Sequence, residues 1–334
     1  LEGFGSYGFP ESHAASFALL VYVSAWIKCY YPDIFAAGML NSQPMGFYAP
    51  AQLVRDAQKH GVIVVPVDIN HSSWDNTLVE KTETYYKVRL GFRHVKGLGE
   101  EEIAILTHAR RKPYSCINEL IDAGISDGAL ELLANADAYR SIGLDRRKAL
   151  WEISALADHP RGIFRGQPSE STWEQGVLLP EMSLSEHVIQ DYSSTSLSLK
   201  AHPLSFVRNR LASKNVLSAK QLEQLPGGTP VKVAGLVLVR QRPGTASGIC
   251  FVTLEDETGS VNVVVFANLF EKFRKEVLHS KVLVVAGKLQ KEGLVTHVIA
   301  EICYDGSSLL HQLMRPETGL KAGEAQIPKG RDFR

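Results

Sequence analysis

Cys250-Phe251-Val252-Thr253-Leu254-Glu255-Asp256-Glu257-Thr258-Gly259-Ser260-Val261-Asn262-Val263-Val264-Val265-Phe266 holds two β-rich runs about a turn-forming centre, Asp256 to Gly259. Such runs, bounded by turn residues, read as paired strands. Upstream, Val231 to Arg240 reads as a strand; downstream, Val282 to Leu289 and Thr296 to Cys303 do too, with a helix candidate, Asn268 to Val277, between the third and fourth strands. Five strands in that order are the pattern of a small five-stranded OB β-barrel. Phe251 and Thr253 share one face, and Asn262, Val264 and Phe266 alternate against Val261, Val263 and Val265. One set must face the core, and alternation leaves open which.

The remaining chain bounds the function classes. Its 334 residues predict about two domains, perhaps with a smaller third piece, and 45% hydrophobic with 22% charged residues is ordinary for a soluble globular protein. Lys plus Arg equals Asp plus Glu at 36 each, which excludes a globally basic nucleic-acid binder and leaves room for a local basic face. Cys29, Cys116, Cys250 and Cys303 stand singly, so neither a zinc site nor a disulfide framework is expected, and a reducing cytoplasm is. The apolar run Ala14 to Ile27 is interrupted by Ser16, Tyr22 and Ser24 and is too short to span a bilayer, so no membrane partner is expected. Residue 1 is Leu, and the glycines after it read as the middle of a motif, so the expectation is a chain that continues upstream.

Residues 12 to 31 predict a helix, apolar almost all round and therefore mostly buried; a second covers Asp33 to Leu40, and a third, Ala51 to His60, is closed by Gly61. Val62 to Val65 and Tyr85 to Leu90 read as strands, with Asp68, Asn70 and Ser72 as turn-formers between them. From Phe92 the pattern is helical for about sixty residues. Asp158 to Pro180 has linker composition, residues 183 to 225 are helical in pieces, and Gly306 to Arg334 reads as a partly ordered tail.

Tyr7-Gly8-Phe9-Pro10-Glu11-Ser12-His13-Ala14-Ala15-Ser16-Phe17-Ala18 places glycines before a helix whose first turn holds Ser12 and His13. Amide donors and a titratable ring there suit a phosphate or base; a glycine turn with a capping histidine fits equally. This stretch, continued through Trp26-Ile27-Lys28 and Tyr31-Pro32, resembles the end of the fingers domain of bacterial C-family DNA polymerases, related to polymerase III alpha. Val67-Asp68-Ile69-Asn70 with Ser72 resembles a second stretch of that family, in the same order and at similar spacing. Under this resemblance Ser12, His13 and Lys28 are candidate nucleotide or template contacts.

Val95-Lys96-Gly97-Leu98-Gly99 feeding Glu100 to Arg111 fits a helix-hairpin-helix, whose amides and helix dipole grip a nucleic-acid backbone without regard to sequence; an ordinary helix-turn-helix fits as well. Arg89, Arg93, Lys96, Arg110 and Arg111, with Lys112, are candidate phosphate contacts around Gly97 and Gly99, while Glu100, Glu101 and Glu102 oppose phosphate unless they point away. A degenerate second copy lies at Asn135-Ala136-Asp137-Ala138-Tyr139, before Arg146-Arg147-Lys148. Asp137 stands where the replicative relatives lead one to expect glycine, which resembles the error-prone, damage-response branch and weakens phosphate binding by this copy. Pro10-Glu11 and the short ending at Arg331-Asp332-Phe333-Arg334 also resemble that branch.

In the barrel, single strands are expected across the second and third strands, with Phe251 and Phe266 as candidate stacking residues and Arg240, Arg242 and Lys288 as cations. Core packing of either phenylalanine is the alternative. Asp68 stands alone, and Glu255, Asp256 and Glu257 fall in a turn, so no carboxylate set for metal-assisted nucleotidyl transfer is expected in this chain. Mg is expected in an upstream palm, and this chain alone should be inactive. The expected architecture is multidomain α+β: 1–85 end of a helical fingers domain, 86–156 helix-hairpin-helix, 157–227 linker and short helices, 228–306 OB domain, 307–334 tail. The function implied is to hold duplex and single-stranded DNA for translesion synthesis and repair, with accessory damage-response polymerase proteins as further partners. A free-standing nucleic-acid-binding module, a replicative polymerase fragment and an RNA-binding OB protein are the other readings left open.

Overall fold

The structure is a computed structural model that describes residues 11–45, 49–157, 179–293, 295–313 and 331–333. It divides into two compact units, Leu1–Leu179 and Pro180–Arg334. Tyr7 to Pro10, most of the expected 158–180 linker, and residues 314–330 of the expected tail lie outside the described residues.

Unit 1 opens with α1 (Glu11–Tyr30), α2 (Pro32–Asn41) and α3 (Pro50–Lys59). A small sheet follows, made of β1 (Val64–Val65), β2 (Thr77–Lys81) and β3 (Tyr86–Arg89) in the order β1-β3-β2. β1 runs parallel to β3, with Val64 opposite Val88, and β2 antiparallel to it. β2 was not legible in the sequence because it is an edge strand with little burial on either face. After a 3₁₀ turn at Phe92–His94 come α4 (Glu100–Ala109), α5 (Ile117–Asp122), α6 (Asp127–Asn135) and α7 (Arg146–Ala157). Leu40, Ile69, Val88, Phe92, Leu106, Leu120, Leu130 and Leu133 form the buried interior.

α1 corrects an expectation. Leu19, Leu20, Val21 and Tyr22 are 60–69% exposed, and Phe17 and Trp26 are about half exposed. Apolar composition on every side predicts burial only where other elements supply cover. Near the end of α1, Lys28 pairs with Asp56 of α3 at 2.9 Å and Trp26 rests near the Tyr30 and Tyr31 rings.

Unit 2 begins with α8 (Leu184–Thr195), which opens on a capping box between Ser183 and Glu186, then a 3₁₀ turn at Pro203–Val207, α9 (Arg208–Ala212) and the single turn α10 (Ala219–Leu222). The barrel strands are β4 (Pro230–Gln241), β5 (Cys250–Glu255), β6 (Ser260–Val265), β7 (Val282–Glu292) and β8 (Val295–Asp305), with α11 (Ala267–Lys272) and α12 (Arg274–His279) between β6 and β7. Strand order β5-β6-β8-β7-β4, closed by β4 on β5, is the OB arrangement; β6 and β8 are parallel and the other pairs antiparallel. Val233, Val252, Leu254, Val263, Val265, Phe270, Leu283, Val285 and Val298 fill the interior.

A second apolar cluster lies outside the barrel. Leu204, Val207, Leu211 and Val216 pack with Ala234, Leu236 and Val282, and with Leu310 of α13 (Ser308–Leu313). Thus much of 183–225, read as linker with short helices, is built onto the barrel. The expected tail contributes α13 and a short strand, β9 (Arg331–Phe333), parallel to Val239–Gln241 of β4.

His94 is 8% exposed, and its Nε2 lies 2.8 Å from Asn76 Oδ1. Burial, then the neighbouring Arg93 charge, pushes its pKa down from 6.5 to about 4. The unfolded chain therefore binds this proton at a higher pH than the folded one, and unit 1 loses stability as pH falls from about 6.5 to about 4, by up to roughly 3 kcal/mol. Thermal unfolding of wild type and His94→Gln across that window checks this: the wild type should lose more stability than the variant.

Candidate nucleic-acid interface

The first hairpin lies between the 3₁₀ turn and α4. Leu98 N–H donates to the Val95 carbonyl, and Gly97 at φ +81° takes the left-handed position that a type II turn requires. A side chain there would be strained by the backbone alone. Gly99 is the N-cap of α4, and Ile103 N–H makes the helix's first bond to the Gly99 carbonyl, so the amides of residues 100–102 precede the helical ladder. Lys96, Gly97 and Gly99 are all exposed. Although the Lys96 side chain is exposed, nearby protein desolvates its ammonium and lowers its pKa, whereas the negative charge of a bound phosphate would raise it. Glu102 accepts a hydrogen bond from Ser126 Oγ, while Glu100 and Glu101 stay in the first turn, favourable to the dipole but opposed to an anion.

The surrounding arginines do not gather at this turn. Arg93 donates to the Asn41 and Gln43 carbonyls and to Asp75, at 2.5–3.1 Å. Arg89 donates to the Pro66 carbonyl at 3.0 Å. Arg110 donates to the Ile69 and Ser72 carbonyls at 2.8 and 2.9 Å. Each of these three guanidiniums thus binds backbone carbonyls of its own unit. Arg111 is exposed, yet it follows the far end of α4, about 15 Å along the axis from the hairpin. Spacing along the chain had suggested a cluster that the helix pulls apart. Lys28 is similarly held by Asp56. Ser12 and His13 lie in the first turn of α1, and their side chains are outside the described residues.

Asp68, in the polymerase-like turn, is 5% exposed. Its Oδ1 accepts from Asn70 N–H and lies 2.8 Å from His71 Nδ1; Oδ2 accepts from Ser141 N–H. In the barrel's acidic turn, Asp256 accepts from Thr258 N–H, Gly259 N–H and Ala219 N–H, while Arg208 binds both Asp256 and Glu257. These carboxylates are spent on turn and helix geometry. Among the described residues no group of three or more His, Cys, Asp or Glu side chains could hold a metal ion.

The barrel settles which face is outward. Val252, Leu254, Val263 and Val265 point into the core; Phe251 is 38% and Phe266 48% exposed. Register pairs Phe251 with Val264 and Thr253 with Asn262, whose side chains hydrogen-bond at 3.1 Å, so Phe266 lies diagonally beyond Phe251 on the same face. Parallel pairing adds His297 opposite Asn262 and Ile299 opposite Val264. Those two were missed, although the inward positions of Val298 and Ala300 imply their outward ones.

Arg242 spans the mouth of the β4–β5 loop: its guanidinium carbon sits 4.4 Å from the Phe270 ring centroid, and Nε donates to the Gly248 carbonyl. Lys288 is exposed and 3.7 Å from Glu301. Arg240 is 5% exposed, and its Nε and Nη2 donate to the carbonyls of Val277 and Ser280 at the end of α12. It braces that helix end and is not a backbone-tracking cation. Arg240→Met should cost about 2 kcal/mol or more of unit 2 stability by leaving these carbonyls unmatched. Denaturant unfolding checks this; stability within about 0.5 kcal/mol of wild type would contradict it.

Residues 61–149 match the helix-hairpin-helix motif model, and residues 231–301 the OB-fold nucleic acid binding domain. The chain is 48% identical over 339 residues to error-prone DNA polymerase 1 of Rhizobium meliloti, covering 94% of this chain and 30% of that protein. It is 45% identical over 348 residues to the error-prone DNA polymerase of Brucella abortus, and 48% identical over 364 residues to that of Caulobacter vibrioides, covering all of this chain and 32% and 33% of those proteins. The resemblance to the error-prone branch therefore runs through nearly the whole chain, which spans about a third of the length of the curated relatives it matches.

Proposed function

We propose that this chain is the nucleic-acid-holding part of an error-prone DNA polymerase, in which the hairpin at Lys96–Gly99 grips duplex backbone and the outer face of β5, β6 and β8 holds single-stranded template. The observation that carries the reading is the exposure of two phenylalanines, Phe251 on β5 and Phe266 just past the end of β6, beside a strand face that also carries Thr253, Asn262 and His297. Exposed aromatic rings on an OB strand face offer flat surfaces on which bases stack. The uncovered apolar surface of α1 supports a place within a larger polypeptide, whose other domains would cover it. In this reading the metal-binding palm belongs to that larger polypeptide, and synthesis across damage and repair in the cytoplasm, with accessory polymerase proteins, is the setting. No helix among the described residues is long and apolar enough to cross a membrane.

Fluorescence anisotropy with duplex and single-stranded probes tests the two grips separately. Lys96→Ala should weaken duplex binding several-fold at low salt, equally for unrelated sequences, and lower the salt slope by about one. Phe251→Ala and Phe266→Ala should each cost about 1–3 kcal/mol of single-strand affinity while folding stays intact. Unchanged duplex affinity in the first variant, or unchanged single-strand affinity in the second pair, would refute the corresponding grip. The isolated chain should give no primer extension, and measurable extension would remove the palm from its assigned place elsewhere.

A further inference from the structure

The reversal between β1 and β2 carries a histidine whose ring is fixed from one side. His71 Nδ1 lies 2.8 Å from Asp68 Oδ1. The Asp68 side chain is 8% exposed and that of His71 58%. An ionised carboxylate only accepts, so Nδ1 carries the proton and the neutral ring keeps its lone pair on Nε2. Among the described residues Nε2 has no hydrogen-bond partner. Neutral, the ring offers an acceptor that repels an anion; protonated, it offers a charged donor already held in one orientation.

The partners of Asp68 set this ring beside the second hairpin. Asp68 Oδ2 accepts from Ser141 N–H, and Asn70 Nδ2 donates to Ser141 Oγ at 3.0 Å, so the ring and the loop ahead of α7 hang on one carboxylate. In that loop Gly143, φ +81°, is exposed and left-handed before α7, as Gly97 is before α4.

Charged and titratable groups of the neighbouring elements also bear on the site. Arg110 donates to the carbonyls of Ile69 and Ser72, on either side of His71, and Arg111 follows it, exposed. Arg89 acts on Asp68 from β3. Tyr114, whose backbone Asn70 bridges, gives its hydroxyl to the Leu106 carbonyl, and Lys112 pairs with Glu119 at 3.2 Å. Arg140 is taken up by Asp137, which sits left-handed at φ +60° with Oδ1 2.8 Å from Arg140 Nε. The carboxylate that touches the ring is thus the one that orients it.

We propose that His71 is a proton-dependent phosphate contact of unit 1, oriented by Asp68 beside the second hairpin, which tightens the hold on duplex as pH falls. It rests on the duplex-binding reading above and adds to it a residue outside both hairpins. A charged imidazole donor matches an anionic phosphate oxygen and reads no base.

Anisotropy with a duplex probe at low salt, at about pH 6 and about pH 8, tests this on the full chain. Wild type should bind about three- to ten-fold tighter than His71→Ala at the lower pH and about equally at the higher, with a salt slope steeper by up to about one at the lower pH alone. His71→Gln retains a donor for Asp68 and has no charge at either pH; it should behave as the alanine variant and carries the test if that variant folds poorly. The same affinity ratio at both pH values would overturn the proton dependence, since a purely structural ring acts alike at both. Equal affinity of wild type and both variants at the lower pH, with Lys96→Ala still weakening binding, would overturn the His71 contact alone. An ineffective Lys96→Ala would overturn the duplex reading beneath it.

Discussion

Unit 1 depends on the chain reversal at Asp68–Ser72, where a short polar segment ties the sheet to the helices. Ser72, fully buried, accepts from Asp68 N–H and donates to the Leu90 carbonyl. Asn70 exchanges hydrogen bonds with the Tyr114 backbone in both directions, and Ile69 N–H reaches the Ala138 carbonyl. Asp68 accepts from Ser141 N–H, and Arg110 spans the Ile69 and Ser72 carbonyls. Buried polar groups are stable only when such partners are supplied together, so one turn fixes where α4 and both hairpins stand. The second polymerase-like stretch is therefore a structural joint, and its only carboxylate serves hydrogen bonding.

The same economy of charge runs through the candidate interfaces. Lys plus Arg equals Asp plus Glu, and several arginines are engaged internally: Arg93, Arg110 and Arg240 each bind backbone carbonyls, and Arg208 binds the acidic turn. Among the described residues, the exposed glycine hairpin at Lys96–Gly99 and the outer barrel face are surfaces open to a polyanion. Such a surface binds through positioned amides and aromatic rings more than through a broad positive field, which suits contact with a backbone whose sequence must not matter.

The barrel was legible because each strand is a β-branched, apolar-rich run bounded by turn residues and because the helix candidate fell in the right interval. The edge strand β2 was not, since neither of its faces is well buried. α1 was legible as a helix but not as an exposed one: composition records what a segment could bury, whereas cover depends on neighbours. Arginines near Gly97 in the chain were read as near it in space, yet α4 carries Arg110 and Arg111 about three turns away and the sheet loops claim Arg89 and Arg93.

By itself the sequence determined the five strands of the barrel and their OB pattern, a glycine turn at Gly97 and the resemblance to error-prone polymerases, because these rest on local composition, on glycine's conformational range and on matching motifs. Only the tertiary structure decided that Phe251 and Phe266 face outward, that Arg240 is a buried brace and that Asp137 sits left-handed against Arg140. Those outcomes are set by which groups find partners when distant segments meet, and that is a property of packing, invisible to any window read along the chain.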